Sequence, residues 1–142
     1  MKKILFSFFA VVLLSLTCYG WGKKKLPTTL ILSSVNPLVY DMFDEKIQTT
    51  RYFTKGSRIY FLIQNPNGFK SDYIRYQIVK QNDNAHIGGY TRVKNQTAKV
   101  KDKYYFSDYF VLHQTGKYYL QVFDITDTTH WLNLEGFAVI DE

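Results

Sequence analysis

Lys117-Tyr118-Tyr119-Leu120-Gln121-Val122-Phe123-Asp124-Ile125 is the stretch on which the fold reading turns. Its apolar period is two. Tyr118, Leu120 and Val122 fall on one side, and Lys117, Tyr119, Gln121 and Phe123 fall on the other. Side chains alternate across a strand but recur every three or four residues on a helix, so this is a half-buried β-strand. Gln114-Thr115-Gly116 precede it and Thr126-Asp127-Thr128-Thr129 follow it, both rich in turn formers. With Tyr118 directed inward, Tyr119 and Phe123 are expected to point out.

The same grammar runs through the rest of the chain. Thr28 to Val35 ends at Asn36-Pro37, and a weaker run, Gln48 to Phe53, ends at Lys55-Gly56-Ser57. Arg58 to Gln64 puts Ile59, Phe61 and Ile63 on one face, and Tyr73 to Lys80 does the same with Ile74, Tyr76 and Ile78. Tyr90 to Val93 is followed by a lysine-rich stretch through Lys103, which reads as a polar connection. Tyr104 to Leu112 sets Tyr105 and Tyr109 against Phe106 and Phe110. Trp131 to Ile140 changes phase, since Leu132 and Leu134 suit one register and Phe137 and Val139 the other; a bulge at Gly136 would reconcile them. Short strands at this spacing, with no crossover helices, predict an all-β antiparallel sandwich of about seven strands over residues 28–142.

Composition fits that reading. The chain has 142 residues, with 12 Tyr and 11 Phe among them, and rings pack well on a pleated sheet. A single Cys excludes an intramolecular disulfide and a thiolate metal cluster. The N-terminus reads Met1-Lys2-Lys3, then an apolar run from Ile4 to Leu16 interrupted only by Ser7 and Ser15. That run is short of the roughly 20 residues a spanning helix needs and has the form of a secretory signal peptide over residues 1–20. Cys18-Tyr19-Gly20 supplies small residues for a cut before Trp21, and Gly20-Trp21-Gly22 repeats the spacing. In a second reading Leu14 to Cys18 is similar to a bacterial lipobox, and Cys18 is the lipidated residue. Thr17 stands where that site usually has Gly, Ala or Ser, which favours the first reading. Residues 21–27 form a basic leader around Lys23-Lys24-Lys25. Without Lys2 and Lys3 the formal charge falls from +6 to +4, from 16 basic and 12 acidic residues. An exported chain whose bases are interspersed with acids is not expected to bind nucleic acid.

Thr115-Gly116-Lys117-Tyr118-Tyr119-Leu120-Gln121-Val122 resembles the turn and sixth strand of an immunoglobulin-like or fibronectin type III-like domain. The resemblance extends to the architecture of about Thr28 to Asp141. It implies that Tyr118 makes a tyrosine corner, its hydroxyl bonding back to the preceding turn. Leu120 stands where true immunoglobulins have their second Cys, and Tyr76 fills the place of their core tryptophan. The loop Asn65-Pro66-Asn67-Gly68-Phe69 is similar to the Asn-Pro-Thr-Thr-Gly-aromatic loop of chagasin-type cysteine-protease inhibitors, and Gly88-Gly89 to their glycine-rich loop. It lacks the Thr pair and is one residue shorter, and His130-Trp131 stands where those inhibitors have Arg-Pro-Trp.

No catalytic residues are assigned. His86 and His113 sit in loops at one end of the expected sandwich and His130 at the other, with no paired carboxylates, phosphate loop or nucleophile motif. Asp124 and Asp127 beside His130 are too few oxygens for calcium, so neither a metal nor a cofactor is expected. Function is read instead from outward tyrosines, which offer rigid contact area with a polar tip. The leading expectation is a non-catalytic module of the bacterial cell envelope, periplasmic or secreted, that binds another envelope or extracellular protein. Its candidate site residues are Asn65, Pro66, Asn67, Gly68 and Phe69, with Tyr73, Tyr119, His130 and Trp131, spread over outward aromatics and the end loops Asn65–Asp72 and Thr126–His130. The alternatives are a chagasin-like inhibitor and a carbohydrate-binding module that stacks sugar on Tyr73 or Tyr119. Membrane attachment is expected only through a lipidated Cys18. An added expectation is that the stretch Pro37 to Lys46 covers some outward rings.

Overall fold

The computed structural model describes residues 25–39, 50–83 and 88–142. The expected signal peptide, Cys18, His86 and most of the stretch Pro37 to Lys46 lie outside the described residues. Eight strands form two sheets: β1 (Thr29–Ser33), β2 (Tyr52–Thr54), β3 (Arg58–Gln64), β4 (Tyr73–Gln81), β5 (Tyr90–Lys99), β6 (Tyr105–Val111), β7 (Gly116–Asp124) and β8 (Asp127–Ile140). One sheet has the order β1-β3-β6 and the other β2-β8-β7-β4-β5. All pairings are antiparallel except β2, which runs parallel to β8.

The faces chosen by alternation meet between the sheets. Ile59, Phe61 and Ile63 oppose Ile74, Tyr76, Ile78, Tyr118, Leu120 and Val122, all at most 2% exposed. Each such side chain contributes roughly 1.5–3 kcal/mol of transfer free energy. Tyr76 packs 5.0 Å from the Phe61 ring centroid, between the two sheets. The Tyr118 hydroxyl donates to the Gln114 carbonyl at 2.7 Å, which makes the anticipated corner. Gly116 opens that strand with φ near 145°, and a Cβ there would lie 2.7 Å from Lys80 Cε. Both facts explain why glycine stands two residues before the tyrosine.

Three local expectations are revised. The lysine-rich stretch after Val93 is not a connection: β5 runs unbroken to Lys99 along the sheet edge. A strand with one neighbour and largely solvated faces needs no apolar alternation, and its lysines suit an edge. The phase change in the last strand falls at Leu132, not Gly136. Val122 faces Asn133 and Phe123 faces Trp131, so Leu132 is the extra residue, and it turns onto the core. Phe123 is outward by register yet only 5% exposed, because the Arg75 guanidinium lies 5.1 Å from its ring centroid.

Candidate functional site

Cross-strand partners share a face, so register assembles the outer surface of the five-stranded sheet. Arg75, Phe123 and Trp131 form one row across β4, β7 and β8. Gln77, Gln121 and Leu134 form the next, and Val79, Tyr119 and Gly136 the third. Tyr73 stands two residues before Arg75 on the same face, and its carbonyl accepts the Ile125 N–H at 3.3 Å. Tyr73, Tyr119 and Trp131 are therefore brought to one surface. Tyr73 is 43% and Trp131 54% exposed. Tyr105 and Tyr109 also point outward, but from the opposite sheet, where Tyr109 packs 5.6 Å from Tyr60.

Tyr119 is held at its place. Tyr90 meets it edge-on at 5.5 Å, and its ring lies over Gly136, where a Cβ would come within 3.1 Å of Tyr119 Cε1. Beside it Gly136 and Ala138 make a low floor, with Tyr52 across the floor from Tyr119. Ala138 lies between Tyr52 on β2 and Lys117 on β7. The resulting depression has a volume of about 390 Å³, and Arg51 and Lys117 supply its positive charge. Arg51 is tied to Glu135 at 3.3 Å, whereas Lys117 makes no ion pair among the described residues. Sequence reading missed Arg51 and Tyr52. The signal was faint: Tyr52 alternates with buried Phe53 in a strand only three residues long.

The two loops of interest lie at one end of the sandwich and hold each other. Ser71 Oγ donates to Asp124 Oδ1 at 2.5 Å, and that oxygen also accepts the Thr126 hydroxyl at 2.6 Å and the Thr126 N–H at 2.9 Å. Burial pushes the Asp124 carboxyl up, but these bonds and nearby Lys70 outweigh it and leave it below its ordinary value. Asn65 is buried; its N–H donates to the Tyr104 carbonyl at 2.8 Å, and its Oδ1 accepts the Asn67 N–H at 3.2 Å. The Gly68 N–H closes the turn on the Asn65 carbonyl at 2.9 Å. Phe69 packs against the core, so Pro66 and Asn67 are the projecting residues. Asn67 Nδ2 donates to the Leu26 carbonyl at 2.7 Å, tying the chain just before β1 to this loop.

Thr126–His130 is not an open loop: β8 begins at Asp127, which pairs with Asp124 in a tight hairpin turn, and residues 128–130 bulge outward before Trp131 pairs with Phe123. Asp127 Oδ1 accepts the Thr129 hydroxyl at 2.7 Å and the Thr129 N–H at 3.1 Å, and Asp127 Oδ2 lies 3.1 Å from His130 Nδ1. The Thr129 hydroxyl first, then its N–H and His130, pull the Asp127 carboxyl down to about 2. His130 is thus engaged in shaping the hairpin. Among the described residues no three His, Cys, Asp or Glu side chains are placed to hold a metal ion. No described helix is long and apolar enough to cross a membrane.

No family model matches the chain, and no curated protein matches it. Among solved structures it is similar to the crystal structure of the PmoD soluble domain from a Methylocystis species, with a TM-score of 0.51. The two are 11% identical, and the alignment covers 80% of this chain and 90% of that one. At that identity the likeness concerns the fold alone.

Proposed function

We propose that this chain is an exported, non-catalytic binding module of the cell envelope, built on an immunoglobulin-like frame. Supporting the frame are the β1-β3-β6 and β2-β8-β7-β4-β5 sheets and the Tyr118 corner, which correspond to the two-sheet arrangement and sixth-strand tyrosine of that architecture. Supporting export is the basic, apolar, small-residue order of residues 1–20. The observation that carries the binding reading is the convergence of Tyr73, Tyr119 and Trp131, from three strands, on one outward face beside the Tyr52 depression. The Tyr119 ring, held edge-on by Tyr90, presents area with little entropy left to lose on binding. The partner is another envelope or extracellular protein.

The test is affinity capture with the full chain from a cross-linked envelope extract. One enriched protein, lost with Tyr119→Ala and Trp131→Ala, supports the reading. Equal recovery with both variants, or no enrichment, overturns it for this face. A second reading, an acidic sugar stacked between Tyr52 and Tyr119, is favoured by the flat floor and by Lys117. It predicts tyrosine fluorescence quenching by uronic-acid glycans, lost with Tyr52→Ala. The protease-inhibitor reading has less to stand on, because buried Asn65 and core-packed Phe69 leave little of that loop to enter a cleft.

A further inference from the structure

The two sheets differ by two strands, and the mismatch leaves a ledge. β6 is the last strand of the smaller sheet and β5 the last of the larger, joined by the connection 100–104. β6 stands over β4: the Tyr76 hydroxyl donates to Asp108 at 2.5 Å, and the Phe106 ring lies 6.0 Å from that of Tyr76. β5 lies one strand farther out. Its inner-face residues Lys94, Gln96 and Ala98 sit opposite Ile78, Tyr76 and Ile74. Those β4 partners are at most 2% exposed, yet Gln96 is open to solvent and Lys94 and Ala98 are only half-buried. The outer edge of β6 pairs with no described strand.

We propose that this ledge accepts an extended acidic segment of a partner protein, added as a new strand to the free edge of β6 and lying over the inner face of β5. A strand added there gains main-chain hydrogen bonds and also covers Ala98 and the stem of Lys94. A strand added to the far edge of β5 would leave both of its own faces in water. β6 has seven residues, about 23 Å of edge at ~3.3 Å per residue. Charge selects the occupant. Residues 90–108 carry Arg92, Lys94, Lys99, Lys101 and Lys103 against Asp102 and Asp108. Asp108 is engaged by the Tyr76 hydroxyl and the Tyr109 N–H, which leaves the edge N–H groups of Tyr105, Ser107 and Val111 for an added strand. Lys101 approaches Asp72 at 3.6 Å, and the other four cations make no ion pair among the described residues. The charges that keep a second copy of this chain from the edge attract an acidic strand.

The test uses the isotope-labelled full chain and two seven-residue probes, an alternating Val-Glu peptide and an alternating Val-Lys peptide, with amide exchange read residue by residue. At a probe concentration about ten times its Kd, the Val-Glu peptide slows exchange of the edge amides within 105–111 by about tenfold. It also shifts Gln96 and Ala98, and added salt weakens both effects. The double variant Lys94→Glu, Lys103→Glu exchanges the preference and takes the Val-Lys peptide, which shows that the variant is folded. No protection at millimolar Val-Glu peptide, equal protection by both peptides, or protection confined to β5 overturns the proposal.

Discussion

Replacing Tyr76 with Phe removes one hydroxyl from the space between the sheets and leaves the ring. The lost bond is the 2.5 Å contact to Asp108, whose other oxygen accepts the Tyr109 N–H at 2.8 Å. A hydrogen bond to an ionised acceptor contributes roughly 1.5–3 kcal/mol. The ring contacts to Phe61 and Phe106 survive, and half-buried Asp108 regains some hydration, so the expected loss is about 2 kcal/mol. For a domain of this size that is about 8 °C in Tm. Urea unfolding at pH 7 measures it, with the m value unchanged. Burial first, then Asp108, raises the Tyr76 hydroxyl above the usual tyrosine value. A raised group contributes all its stability below the unfolded pKa of about 10 and loses it as pH rises beyond. The gap between the wild type and Tyr76→Phe therefore narrows from pH 7 to pH 11. A loss under about 0.5 kcal/mol, or a gap of equal size at both pH values, would refute the reasoning.

Four further outcomes follow from the geometry. Tyr118→Phe removes the corner bond to Gln114 and lowers stability by about 1 kcal/mol in urea unfolding. Gly116→Ala forces a Cβ into positive φ against Lys80 and costs about 1–2 kcal/mol by the same measurement. Asp124→Ala breaks three hydrogen bonds and costs about 2 kcal/mol at pH 7. Because the folded carboxyl is depressed, that stability is present above the unfolded pKa of about 4 and is lost as pH falls from there through the lower folded value, so wild type and Asp124→Ala converge in acid. Carboxyl titration by NMR places Asp127 at about 2, and Thr129→Ala moves it toward the ordinary carboxylate range.

The fold class was legible because it is encoded locally. Tyr118, Leu120 and Val122 declare a face by their spacing alone, and Gly116 before Tyr118 marks where the strand opens. The part of β5 beyond Val93 reads as a connection for the opposite reason: with water on most of its surface, its sequence carries no period to read. Leu132 shows a different limit. The phase change was visible, but its position depends on which residue of β7 each residue of β8 faces.

The functional face divides the same way. That Tyr73, Tyr119 and Trp131 turn away from the core follows from alternation within their own strands, a property of neighbouring residues. That they stand together, that Tyr52 joins Tyr119 across Gly136, that Arg75 closes over Phe123, and that β5 extends past β6 are matters of register and sheet order. Those are set by pairings between residues tens of positions apart, which the free energy of the whole sandwich selects and no single strand contains.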